Sequence, residues 1–163
     1  MRPSKVALSL IREGGKKRAE KELQELYCVT PARARLAIEA ADAGIRAAAE
    51  LEPNDISLYV GIPFCPTRCS YCSFVSRTVG DKATRALVQP YVDKLCAELT
   101  AIRETADRCG LHIRTFYIGG GTPTSLSAAQ LEQLMSHIAK TFDLAKLDEY
   151  TVEAGRPDCT DAE

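Results

Sequence analysis

The sequence predicts an α/β fold, a parallel sheet of about three βα units preceded by a small all-helical segment. Three observations predict it. Apolar residues recur at helical spacing up to about residue 51. From Ser57 the pattern changes to short β-branched and aromatic runs. Those runs then alternate with amphipathic stretches in the order strand, helix, strand, helix, strand, which implies parallel strands joined by right-handed crossovers. Chemistry is therefore expected on the loops that follow the C-terminal ends of the strands.

Each element has its own signals. Val6, Leu10 and Ile11 are spaced for a first helix that Gly14-Gly15 ends, and Leu23 and Leu26 mark the apolar side of a second, charge-rich one. Thr30-Pro31 suits the cap and first turn of a third helix carrying Leu36, Ile38, Ala40 and Ile45. Pro53-Asn54-Asp55 breaks the pattern, so the chain divides into a helical segment 1–53 and an α/β segment 54–163. Ser57–Ile62 reads as a buried strand stopped by Pro63. Pro90 opens a helix with Leu95, Leu99, Ile102 and Ala106 on one face, closed by Gly110. Ile113–Ile118 is a second strand, running into Gly119-Gly120-Gly121. Ser127 and Gln130 form a capping box for a helix with Leu131, Leu134, Met135 and Ile138. Residues 149–154 make a third strand.

Composition narrows the function classes. The chain has 163 residues, 45% of them hydrophobic, enough for one domain with a real core. A formal net charge of −1 makes no electrostatic case for nucleic acid. Lys16-Lys17-Arg18 lies among Glu13, Glu20, Glu22 and Glu25 and reads as a solvated helix face. No run approaches the roughly 18 apolar residues of a membrane span. The short apolar run Val6–Ile11 lacks a small-residue cleavage site, so the reading is a cytoplasmic protein without a signal peptide. Seven cysteines, an odd number mostly scattered singly, argue against a disulfide framework.

Three of those cysteines cluster as Cys65-x3-Cys69-x2-Cys72. Zinc usually takes four ligands, often in paired C-x2-C knuckles, and no fourth ligand is near; His112 and His137 sit in a strand start and a helix. A thioredoxin-like site would use Cys69 and Cys72 without needing Cys65. A cubane iron–sulfur cluster held by three thiolates keeps one iron open for a substrate or cofactor. Spacing alone favours the cluster and leaves zinc and unligated thiols as alternatives. Gly119-Gly120-Gly121-Thr122-Pro123-Thr124 lets backbone approach a ligand closely. It lacks the Gly-Lys-Ser/Thr or G-x-G-x-x-G of phosphate and dinucleotide loops, and a tight strand-to-helix turn is the plainer reading. Glu153 stands at the end of the third strand beside Gly155-Arg156-Pro157, where it is either a site carboxylate or a surface residue.

The flanks of these motifs carry a resemblance. Ile62-Pro63-Phe64-Cys65-Pro66-Thr67-Arg68-Cys69-Ser70-Tyr71-Cys72 resembles the signature of radical S-adenosylmethionine (SAM) enzymes, in the branch of oxygen-independent coproporphyrinogen III oxidases and related dehydrogenases. The wider run from Ser57, with Ser73-Phe74-Val75-Ser76 and Glu153-Ala154-Gly155-Arg156-Pro157, is similar to HemZ-type members of that branch. The resemblance implies that Cys65, Cys69 and Cys72 bind a [4Fe–4S] cluster whose open iron is chelated by SAM. It implies SAM contacts from Tyr59, from Tyr71 packing on the adenine, from Gly120, Gly121 and Thr122 toward the ammonium group, and from Glu153. For Tyr59, core packing is an equal alternative.

The implied fold is a partial radical-SAM (β/α) barrel, with residues 54–163 as its N-terminal half. The implied activity is oxidative decarboxylation of coproporphyrinogen III propionates to vinyl groups, with an electron donor such as flavodoxin or ferredoxin. Some oxidases of the branch carry a fourth cysteine two residues after the third; here Ser73-Phe74 follows Cys72. Related proteins act as haem chaperones, so haem binding is the alternative function, and a catalytically silent chain is another. The implied barrel is about twice what this chain encodes, and Arg2-Pro3-Ser4-Lys5 resembles a motif found mid-chain in HemZ-like proteins. The expectation is a piece of a longer protein.

Overall fold

The computed structural model describes residues 2–155. Arg156 and Pro157, part of the turn expected beside Glu153, and Cys159 lie outside the described residues. The chain divides into two compact units between Pro53 and Asn54. No helix among the described residues is long and apolar enough to cross a membrane.

The first unit is a helix pair, α1 (Pro3–Glu25) and α2 (Pro31–Ala49). The glycine pair does break the first helix: Gly15 has φ 80° and ψ 173°, an interruption inside one element rather than a loop between two. Ala7, Leu10, Ala19 and Leu23 of α1 bury against Ala34, Ala37, Ile38 and Ala41 of α2. The α2 set has spacing i, i+3, i+4, i+7, a single stripe. Of the residues read on this helix, Ile38 lies on that stripe, whereas Leu36 falls off it and is 64% exposed, and Ala40 is exposed too. Leu26 stands at the C-cap of α1, past the last packed turn, and is 71% exposed. Thr30 precedes Pro31 as expected, but its side chain makes no capping bond; its carbonyl accepts from Ala34 N–H at 2.9 Å.

The second unit is α/β. Its strands are β1 (Asp55–Ile62), β2 (Phe64–Cys65), β3 (Arg77–Thr78), β4 (His112–Gly120) and β5 (Glu149–Val152). Helices α3 (Lys82–Cys109) and α4 (Ala128–Thr141) connect them. β1, β4 and β5 form an all-parallel sheet in that order, while β2 and β3 form a separate parallel pair. The sheet is open, not closed into a barrel. β1 starts two residues before the expected Ser57, with a register shift between Ile56 and Ser57.

Helix α3 departs most from expectation. It starts at Lys82, and Pro90 lies inside it rather than at its first turn. The start is set by Asp81, whose carboxylate accepts from Thr84 N–H at 2.8 Å and is thereby held below the usual carboxylate pKa. Pro90 removes only the bond to the Ala86 carbonyl, and both residues are solvent-exposed, so water can satisfy that carbonyl. The helix ends as the sequence predicts. Gly110 takes φ 63°, its N–H donates to Asp107 O, and Leu111 N–H donates to Ala106 O at 2.8 Å. The Ser127–Gln130 capping box on α4 is formed in both directions.

Val60 and Ile62 of β1, Phe116 and Ile118 of β4, and Tyr150 and Val152 of β5 face the helices. They meet Val92, Leu95 and Leu99 of α3 and Leu131, Leu134 and Ile138 of α4. Phe116, fully buried, packs edge-on against Phe142 and Tyr150 with centroids 5.3 and 5.8 Å away. At the N-terminal ends of the strands, Arg114 of β4 donates to Asp55 on β1 at 3.2 Å and to Asp148 before β5 at 2.5 Å. One guanidinium therefore ties three neighbouring segments at the end opposite the cysteine and glycine loops.

Phe116→Ala should cost about 3–5 kcal/mol in urea unfolding, because it removes a fully buried ring that packs on Phe142 and Tyr150. Leu36→Ala, on an exposed helix face, should change stability by less than about 0.5 kcal/mol. A reversal of that order would contradict the packing described.

Candidate functional site

The cysteine loop leaves β1 at Pro63 and is fastened where it returns. Arg77 N–H donates to Pro63 O at 2.8 Å and Val79 N–H to Cys65 O at 3.0 Å, making the β2–β3 pair. Cys65 is buried in this clamp, whereas Cys69 and Cys72 are half-buried beyond it. Cys72 N–H donates to Cys69 O at 3.1 Å, closing a turn, and Tyr71 within that turn is 89% exposed. Cys65, Cys69 and Cys72 are in no disulfide. Among the described residues, no three His, Cys, Asp or Glu side chains stand close enough to hold a metal ion. The structure thus brings the three cysteines to one loop but not to one point: the clamp fixes Cys65, and the turn holds Cys69 and Cys72 farther out.

The glycine loop presses on the same clamp. Gly121 N–H donates to Ile62 O and Thr122 N–H to Phe64 O, both at 2.8 Å, so the β1–β4 pairing runs on past the strand ends. Gly120 has φ 114°, and a methyl group there would stand 3.0 Å from the Ile62 backbone. A methyl at Gly121 would stand 2.5 Å from Phe64 O and 2.9 Å from Cys65 Sγ, closer than van der Waals contact allows. The buried Thr122 turns its hydroxyl toward Cys65 Sγ, 3.5 Å away, and Ser125 Oγ donates to Thr122 O at 2.6 Å. Thr124 Oγ1, which the sequence reading passed over, is buried without a hydrogen-bond partner.

Glu153, just past β5, which ends at Val152 rather than at the expected 154, completes the arrangement. Its N–H donates to Ile118 O at 3.0 Å, and its carboxylate accepts from Tyr117 OH at 2.5 Å. Tyr117 pairs in register with Tyr59, and their rings stack with centroids 5.8 Å apart and planes 12° apart. A methyl at Gly119 would stand about equally near Tyr117 Cε1, Glu153 Oε2 and Tyr59 Oη, at 2.9, 3.0 and 3.0 Å, so the three side chains gather over that glycine. Tyr59 is 64% exposed and is no core residue. Tyr117 was missed by the sequence reading. The signal was present, since Phe116 and Ile118 are both helix-facing and alternation puts Tyr117 on the face of Tyr59. The bond to Glu153 and that carboxylate's charge push the Tyr117 phenol above its ordinary pKa.

A cleft of about 450 Å³ opens beside this face, lined by Gly121, Thr122, Pro123, Glu153, Ala154 and Gly155. Neither histidine contributes. His112 lies at the N-terminal end of β4, 3.6 Å from Asp55, and His137 Nε2 is 3.0 Å from Thr100 Oγ1 between α4 and α3. The donor set, three thiols on one loop and none in a disulfide, suits an iron–sulfur cluster in kind. The bare backbone of Gly121, which lines the adjoining cleft, suits close approach of a polar cofactor there.

Known proteins match both units. The chain is 35% identical over 162 residues, 97% of its length, to the oxygen-independent coproporphyrinogen-III oxidase-like protein HemZ of Bacillus subtilis (strain 168). It is 40% identical over 110 residues, 68% of its length, to the heme chaperone HemW of Lactococcus lactis subsp. lactis (strain IL1403). Over 102 residues, 61% of its length, it is 35% identical to the oxygen-independent coproporphyrinogen III oxidase of Pseudomonas aeruginosa. The chain belongs to the radical SAM family of these proteins. It spans 32%, 26% and 21% of these three relatives, respectively. No protein-family model and no solved structure matches it.

Two measurements check the site of this radical SAM chain. In Gly121→Ala, Cys65 should be forced out of its clamp and alkylated faster, read per cysteine by mass spectrometry. Gly80→Ala, where nothing lies within 4 Å of the added methyl, should leave the rate unchanged. Equal rates in both variants would refute the close approach.

The second concerns pH. Because the folded-state pKa of Tyr117 lies above its unfolded value, its interaction contributes stability that is fully present below about pH 10 and is lost as pH rises through the folded-state value. Glu153→Gln should bring Tyr117 phenolate absorbance, isolated by difference against Tyr117→Phe, to lower pH and flatten that alkaline loss. An unchanged titration would mean the bond is absent in solution.

Proposed function

We propose that this chain carries the cluster- and SAM-binding part of a radical SAM protein of the oxygen-independent coproporphyrinogen III dehydrogenase type. Residues 54–163 are the N-terminal half of its (β/α) barrel core, and residues 1–53 a helical segment ahead of it. The reading rests above all on one observation: the glycine loop is hydrogen-bonded to the segment that carries Cys65, at the C-terminal end of parallel strands. Cys65, Cys69 and Cys72 would each hold one iron of a [4Fe–4S] cluster, with the fourth iron open to the SAM amino and carboxylate groups. Such a cluster, when bound, supplies the electron for reductive cleavage of SAM.

The chain's own residues would bind and orient. Gly120 and Gly121 offer backbone close to the cleft, and the Thr122 hydroxyl aims at the Cys65 sulfur. Glu153 presents a carboxylate, steadied by Tyr117, suited to a cationic cofactor. Tyr59 and the exposed Tyr71 offer aromatic faces, Tyr71 for the adenine. The substrate would be coproporphyrinogen III, oxidised at its propionates, and the reductant a flavodoxin or ferredoxin. The absence of disulfides among the described cysteines suits the reducing cytoplasm. A second reading, a haem chaperone, is favoured by the 40% identity to the Lactococcus HemW over 110 residues of the chain.

Anaerobic reconstitution tests the cluster. About four irons and four sulfides per chain are expected, with a reduced-state electron paramagnetic resonance spectrum that changes on adding SAM. Replacing Cys65, Cys69 and Cys72 by serine should abolish loading. Metal-free or zinc-only protein after reconstitution would overturn the proposal. SAM cleavage without haem binding supports the dehydrogenase reading, and stoichiometric haem binding without it supports the chaperone.

A further inference from the structure

We propose that the groove between the returning limb of the cysteine loop and α3 is the docking face for an acidic one-electron carrier protein. This rests on the cluster reading above and adds to it where the electron enters. The groove, about 430 Å³, is walled by Pro63, Phe64, Val75, Leu87, Pro90 and Tyr91. Its lining is unusually apolar for a surface: Val75 is 96% exposed and Leu87 47%, and Phe74, next in sequence to Val75, is 62% exposed. Contiguous exposed apolar side chains of this size mark interaction sites.

Charge selects the partner. Arg77 and Lys94 line the groove and no carboxylate does. Neither makes an ion pair among the described residues. Residues 63–94 hold five Lys or Arg against two Asp, in a chain whose net charge is −1. Both aspartates are exposed and hydrogen-bonded, Asp81 as the cap of α3 and Asp93 accepting from Gln89 and Gln133 at 2.9 Å each, and counting their charges still leaves the segment at +3. Glu98, one turn beyond Lys94 and felt at Tyr91, only partly offsets the excess. An apolar centre with a basic rim complements an acidic partner and speeds its encounter.

Position selects an electron carrier among acidic partners. Phe64, a groove wall, is bonded directly to Cys65, whose sulfur faces the other way toward Gly121 and Thr122. The groove is lined by no residue of β4, β5 or the glycine loop, so a docked protein leaves the cofactor cleft open. The reduced carrier gives up one electron and the cluster takes it up; no bond is made or broken in the chain.

The test uses the full chain after anaerobic reconstitution, with an acidic flavodoxin as probe. Calorimetry at low salt should detect binding that weakens as salt rises. Arg77→Glu with Lys94→Glu should weaken it about tenfold or more, and Val75→Ser should weaken it at every salt concentration. Lys140→Glu, on the exposed side of α4, should not. Reduction of the loaded cluster by flavodoxin, followed by stopped flow, should slow in parallel, while iron content and reduction by dithionite stay unchanged. Undiminished binding and reduction in the charge-reversed chain would overturn the docking face, as would a self-associated dimer that the same substitutions dissolve without any flavodoxin binding. Failure of the wild-type chain to load iron would overturn the cluster reading, and the binding measurement reports on the groove separately.

Discussion

Two hydrogen bonds, from Gly121 N–H to Ile62 O and from Thr122 N–H to Phe64 O, set the geometry on which the rest of the site depends. They exist only because positions 120 and 121 lack side chains, one needing a left-handed backbone and both needing the space a methyl would fill. Through them β4 grips the segment just beyond β1, and that segment carries the first cysteine. The β2–β3 clamp then closes the loop on the same residues, since Cys65 O accepts from Val79 while Thr122 approaches its sulfur. A buried backbone must satisfy its polar groups. Here the satisfied pairs also fasten a ligand-type residue in place.

The sheet behind this contact is asymmetric. Parallel sheets are usually covered on both faces, and their strands then read as continuous apolar runs. In this chain the helix side is apolar throughout, while the opposite side presents Ser57, Tyr59 and Gly61, then Thr115, Tyr117 and Gly119, then Glu149, Thr151 and Glu153. A polar face on a parallel sheet is out of place in a packed core and in keeping with the interior of a substrate-binding barrel, as proposed. Its ends also differ in task. The Arg114 network holds the strands together where they start, and Tyr59, Tyr117 and Glu153 meet where β4 gives way to glycine. Stability thus sits at one end of the sheet and the bindable groups at the other, as in parallel α/β folds with sites at the C-terminal ends of their strands.

Local chemistry was legible in the sequence wherever one residue type decides the outcome. Gly110 at a left-handed cap, the Ser127–Gln130 box, Gly15 as a break and Pro63 as the end of β1 all act as read. The reading failed where two signals competed. Pro90 suggested a helix start, but Asp81 supplies a side-chain cap and a solvent-facing carbonyl makes the proline tolerable inside the helix. Leu26 and Leu36 looked like core because they are apolar, yet the α1–α2 contact is made mainly of alanines. The two-residue β2 and β3 carry too little pattern to be seen at all. The pairing of Tyr117 with Glu153 needs the register of three strands, which no single stretch of sequence contains.

The cysteine loop shows why ligand type is easier to read than ligand geometry. Three thiols within eight residues state a donor set, but the distances between them are set by what the loop is tied to. Cys65 is tied on three sides, by β3 through its carbonyl, by the glycine loop beside it and by the Thr122 hydroxyl at its sulfur. Cys69 and Cys72 sit in a turn of their own, in the part of the loop that β2 and β3 bracket. Cys65 is thus the corner fastened both to β3 and to the glycine loop. The fixed corner sets where a cluster would lie relative to the cofactor cleft, since Gly121 touches Cys65 and also lines that cleft. Under the proposed function Cys69 and Cys72 would have to draw in toward Cys65 to share a cluster with it, and their turn lies outside the sheet pairing that holds Cys65.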